Sequence, residues 1–198
     1  NVNIKKETAK LIAGASKNLA QVVASSSFEF FQRKDFRLYV DFNNLSQTEQ
    51  DRMFNELELS VLGLFILNFD HAIETASAPE QKIVFSSLQK DLPSAFLQIF
   101  VEIGIEKKFI DQWKTLIDMR LSEYRRDLKT ALKESYKWGE FKNEKQSQET
   151  WVQIETITID CLSHIRRGNI EKTDPLWKLL RKWFITLYTQ LAPIAKLG

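Results

Sequence analysis

The segment Leu59–Glu74, LSVLGLFILNFDHAIE, constrains the fold more than any other part of the chain. It opens on a nearly unbroken apolar run and ends with Asn68, Asp70, His71 and Glu74, packed into less than two helical turns. At about 100° per residue, Phe54, Leu57, Val61, Phe65 and Ala72 share one helical face. Asn68 falls on that face and His71 near its border, whereas Asp70 and Glu74 point away. A stripe of this kind must be buried against other elements. The apolar run Val61–Leu67 is too short to cross a membrane, which takes roughly 20 residues. The expectation is a core helix in a soluble, cytoplasmic protein. The first residue is Asn1, which leaves an exported mature form as the alternative.

The rest of the chain repeats the helical period. Leu11, Ile12, Ala15, Leu19, Val22 and Val23 form one stripe of a helix over 4–25. Ile110, Ile117, Tyr124 and Ala131 recur every seventh position, with Leu121 and Leu128 between them, and predict a helix over 107–137 with one narrow seam. Trp151, Ile154, Ile157, Cys161, Leu162 and Ile165 mark a helix over 150–167, and residues 140–148 read as an exposed loop. Leu176, Leu179, Leu180, Trp183, Phe184, Leu187, Tyr188 and Leu191 give a broad apolar face over 176–191.

Punctuation sets the boundaries. The chain has only six glycines and four prolines, too few for a turn-rich β fold. Pro79, Pro93 and Pro175 fit first-turn positions, where a missing N–H is harmless. Gly104, Gly139 and Gly168 follow periodic stretches. Ser46-x-x-Glu49 and Ser77-x-x-Glu80 match capping boxes. Further helices are expected over 47–76, 80–90 and 93–103, the last apolar nearly all round. Phe36, Leu38, Val40 and Phe42 alternate with polar residues as in a strand, so 28–44 reads as a linker or crossover. The fold expected is all-α: residues 1–198 as one irregular bundle of about seven helices, those over 47–76 and 107–137 long and central.

Composition narrows the function less. Hydrophobic residues make up 43% and charged residues 27%, enough for a packed core and too apolar for general disorder. The net charge of +2 gives no strong nucleic-acid signal. Cys161 is the single cysteine, so no intrachain disulfide can form. No phosphate-cradling loop, nucleophile elbow or metalloprotease motif is present, and no catalytic residue, metal ligand set or cofactor is assigned. Asn44-Leu45-Ser46 matches a glycosylation acceptor, a pattern that also arises by chance.

Three groups of residues remain as candidates. Asn68 and His71 combine polarity with an apolar face, and they either fix helix register through an inter-helix hydrogen bond or line a pocket. Arg125, Lys129, Lys133 and Lys137 form a ridge at i, i+4 spacing, and Lys178, Arg181 and Lys182 occupy the polar face of the last helix. Both sets read as solvated faces or as a docking surface. Asp160, Cys161 and His164 share one side of a helix and offer at most half a zinc site. The expected function is a non-enzymatic interaction or regulatory module that binds a protein partner, or itself as a homodimer, through an apolar helix face. The alternatives are a small-molecule sensor with an apolar pocket near Asn68 and His71, and a metal-dependent enzyme using His71, His164 and carboxylates.

Overall fold

The structure is a computed structural model that describes residues 2–138, 145–171 and 173–195, with side chains for 7–136, 148–171 and 173–191. Among the described residues there are seven α-helices, one short 3-10 turn and no strand. They are α1 (Val2–Phe31), α2 (Lys34–Tyr39), the 3-10 turn Phe42–Asn44, α3 (Gln47–Thr75), α4 (Pro79–Glu102), α5 (Lys107–Trp138), α6 (Lys145–Ile165) and α7 (Pro175–Ala195). No described helix is long and apolar enough to cross a membrane.

Helix α3 is the axis. It packs against α1, α4, α5, α6 and α7, and every residue from Glu56 to Phe69 is buried. This explains why its sequence is apolar beyond one stripe: a helix surrounded on all sides has no wet face. Ser46 caps it, its hydroxyl accepting from the Glu49 N–H at 3.3 Å. Gly63 lets α5 approach closely. A Cβ there would lie 2.5 Å from two ring carbons of Tyr124, which is fully buried and shares a 3.3 Å hydrogen bond with Ser60.

Helix α5 shows the narrow seam that its heptad pattern predicts, with Ile117, Leu121 and Tyr124 buried. Helix α7 turns Leu176, Leu180, Phe184, Leu187 and Leu191 into the core, so its amphipathic face is a packing face. Its first turn is held by Asp174, which accepts from the Leu176 N–H at 2.9 Å. In α6 the threonine-rich middle stays helical because the Thr156 and Thr158 hydroxyls donate to the carbonyls of Val152 and Ile154.

Several boundaries differ from expectation. Helix α1 continues to Phe31, and the strand-like segment is helix α2. Phe36 and Val40, four residues apart, are buried, while Leu38 is 76% exposed. The alternation was therefore chance: the i, i+4 pair is buried by helical spacing, and Phe42 reaches the core from the following 3-10 turn. Phe36 joins an aromatic cluster with Phe30 and Phe31, and Phe30 stacks on Trp183 at 4.1 Å, tying α1 and α2 to α7.

Pro93 does not start a helix; it lies inside α4, which runs unbroken through the two segments expected there. Leu88, Leu92 and Phe96 are buried on both sides of it, so burial carries the helix across one missing hydrogen bond. The second capping box is unused: the N-cap of α4 is Ala78, without a side-chain bond. The last turn of α4 is less covered than its middle. Val101 and Ile103 are exposed at its corner with α5. Helix α6 begins earlier than expected, at Lys145, and Trp151 is 43% exposed rather than on the buried face. Gly104 and Gly168 take positive φ at helix ends, as expected; Gly139 lies outside the described residues.

Candidate functional site

Two groups of candidates that are far apart in sequence meet at one place. Helices α3, α4, α5 and α6 surround an open cleft of about 780 Å³. Its apolar floor is Leu67 and Ile73 of α3 with Leu128 and Leu132 of α5. His71 lines it from α3, and Arg125, Lys129 and Lys133 line it from α5. Lys137 continues the ridge in α5, but its side chain lies outside the described residues.

Arg125, Lys129 and Lys133 are exposed and line one wall of this open cleft. They differ in what they touch. Arg125 is held by Asp70, with Nε and one terminal nitrogen 2.7 and 3.1 Å from the carboxylate. Asp70 also accepts from the Gln89 side chain of α4. The expectation that Asp70 only faces water is therefore corrected: it bridges α4 and α5 at the cleft edge. Glu74 is exposed, as expected. Among the described residues, Lys129 and Lys133 make no ion pair, so their charges remain available at the mouth.

His71 sits deeper. Its Nδ1 lies 3.5 Å from Oε2 of Glu149 on α6. Oε1 of the same carboxylate accepts from the Tyr136 hydroxyl at 2.6 Å. That bond, with burial and the nearby negative charge, pushes the Tyr136 hydroxyl up to about 12. The His71 Nε2 is buried without a hydrogen-bond partner among the described residues. His71 also borders a smaller open pocket of about 230 Å³ with Asn68, Ala72, Thr75, Phe85 and Tyr188. Asn68 is 8% exposed and makes no side-chain hydrogen bond to another described residue. The inter-helix bond expected to fix its register is absent there.

The second basic set lies elsewhere. Arg181 is committed to Glu155 at 3.0 Å and sits over the rings of Trp151 and Trp177. Lys178 and Lys182 are exposed beside it.

The two histidines do not share a site. His71 contacts Glu149 near the start of α6, and His164 contacts Glu123 at 3.0 Å near its end. The two positions on α6 are about 22 Å apart at the helical rise. Among the described residues no group of three or more His, Cys, Asp or Glu side chains could hold a metal. Cys161 is fully buried, and burial pushes its thiol up to about 12, which makes it a poor nucleophile.

Around His164 the charges form a brace. Arg120 pairs bidentately with the buried Glu56, at 2.7 and 3.1 Å, and also meets Glu123. Arg52 donates to the carbonyls of His164 and Ile165, closing the end of α6. Asp160, whose Oδ2 has no partner among the described residues, is pushed up to about 7 by burial and by Asp127 and Glu123.

Sequence reasoning missed Glu149, Tyr136 and Gln89 in the cleft, because a cleft wall built from three helices leaves no local spacing signal. It also missed Glu58. That carboxyl is 3% exposed, and burial pushes it up to about 8. Its signal was present: Glu58 follows Phe54 by one turn, on the side of α3 where Phe54 meets Phe28 and Phe31 of α1. Comparison with family models, curated proteins and solved structures gives no match to the chain.

Proposed function

We propose that the protein is a non-enzymatic ligand-binding module whose site is the cleft between α3, α4, α5 and α6. One observation carries this reading: His71 and the Lys129–Lys133 ridge, picked out independently, line the same cavity of about 780 Å³. That volume falls within the roughly 300–1,000 Å³ typical of small-molecule sites. An apolar floor with two uncommitted ammonium groups at the mouth suits a small molecule with an apolar body and an acidic group. Binding that bridges α3 and α5 would tighten their packing, which is how a helical bundle reports a ligand to a partner.

The test uses anilinonaphthalenesulfonate, a fluorescent probe with an apolar body and one sulfonate. The K129E/K133E variant is expected to weaken its binding tenfold or more, while Leu11→Glu, on the far side of α4, leaves it unchanged. Equal binding by the wild type and K129E/K133E rejects the cleft.

A second reading has its own observation. Leu11 is 74% exposed on α1. It borders an apolar groove of about 640 Å³ with Ile12, Ala15, Val84, Phe85 and Leu88. Such a groove suits an apolar helix face of a protein partner or a second copy. Loss of probe binding in Leu11→Glu, together with a change in oligomeric state, favours this reading over the cleft.

A further inference from the structure

The depth of the cleft carries more information than its mouth. His71 stands between the large cleft and a second, smaller open pocket. A carboxylate oxygen 3.5 Å from Nδ1 favours a proton on that nitrogen in the neutral ring. Nε2 is then a bare lone pair. It is buried, and no described residue donates to it. A buried acceptor without a donor carries a desolvation cost that a correctly placed donor removes. Asn68 lines that smaller pocket with an amide not committed to another described residue. Of the hydroxyls nearby, Thr75 donates to the His71 carbonyl at 2.8 Å, and Tyr188 shares a hydrogen bond with Thr150 at 3.2 Å.

We infer that the inner end of the cleft recognises a hydrogen-bond donor, so that the ligand is an amphipathic acid bearing a hydroxyl or N–H group at the end opposite its acid. The acid meets Lys129 and Lys133, the apolar body lies on Leu128 and Leu132, and the donor reaches His71 Nε2. A rotation of the imidazole about χ2, a soft torsion, brings Nε2 to the cleft and gives up the 3.5 Å contact of Nδ1 with Glu149 in exchange for the ligand's donor. In the free protein Glu149, oriented by the Tyr136 hydroxyl, stands beside Nδ1 and favours the Nδ1–H tautomer.

This inference rests on the cleft reading, and the experiment separates the two. Three matched probes are titrated into the full chain: phenylbutanoic acid, its para-hydroxy form and its para-methoxy form. Binding of the unsubstituted acid tests the cleft alone. The hydroxy acid is expected to bind about threefold to tenfold tighter than the methoxy acid, the range of one net hydrogen bond. In His71→Phe that preference disappears while the unsubstituted acid still binds. In ¹⁵N-histidine-labelled wild type, free protein shows the Nδ1–H tautomer, and only the hydroxy acid shifts the His71 Nε2 resonance. The labelled wild-type spectrum decides the matter if His71→Phe does not fold. Equal affinity for the hydroxy and methoxy acids, or an unshifted Nε2 resonance, overturns the donor reading and leaves the cleft standing. No binding of any of the three acids overturns both.

Discussion

Glu58 makes the stability of this bundle depend on pH in an unusual direction. Its folded-state value of about 8 stands above the ordinary 4.5, and burial is the cause. For a carboxyl raised on folding, the native state holds a proton that the unfolded chain releases. Stability is then full below the unfolded value and is lost as pH rises toward the folded one. The loss amounts to about 2 kcal/mol at pH 6 and about 4 kcal/mol at pH 8. Glu58→Gln keeps the shape and removes the titration. In urea unfolding at pH 5, 6, 7 and 8, wild-type stability minus that of Glu58→Gln should fall by about 2 kcal/mol between pH 6 and pH 8. Other titrating groups, Asp160 among them, are common to both proteins and cancel. A difference that stays flat across that range would refute the claim that the carboxyl is shut away from water.

Two further substitutions probe how α5 is seated on α3. Gly63→Ala should destabilise the fold by about 1–3 kcal/mol in urea unfolding, because the overlap with the Tyr124 ring outweighs the gain in helix propensity; a more stable variant rejects the close approach. Glu56→Ala should cost about 3 kcal/mol by leaving Arg120, 13% exposed, short of its buried partner. Glu56→Ala/Arg120→Met should recover most of that loss, which a thermal melt of the three proteins checks.

The elements that sequence reasoning recovered are those whose burial follows one periodic rule. Helices α5 and α7 show their stripes because each repeats the same contact every turn, α3 shows a continuous apolar run because it is surrounded, and Ser46 announces its cap within four residues. What it missed depends on tertiary context. Phe36 and Val40 look like alternate strand positions until α1, α3 and α7 supply a core for an i, i+4 pair. Pro93 looks like a helix start until Leu92 and Phe96 on either side are seen to be buried. The cleft was legible only as two unconnected hints, His71 and the α5 ridge. Their meeting depends on α3 and α5 lying side by side with α6 behind them, and no local spacing encodes that packing. Asp70 was misjudged for the same reason, since its partner Arg125 lies 55 residues away.

The central claim is that one cleft, floored by α3 and α5, is the binding site. The direct test is methyl chemical-shift mapping of the full chain with phenylbutanoic acid. The account predicts saturable shifts at Leu67, Ile73, Leu128 and Leu132, with Leu11, Val84 and Leu88 unmoved. Shifts confined to Leu11, Val84 and Leu88, or none at the floor residues, would contradict it.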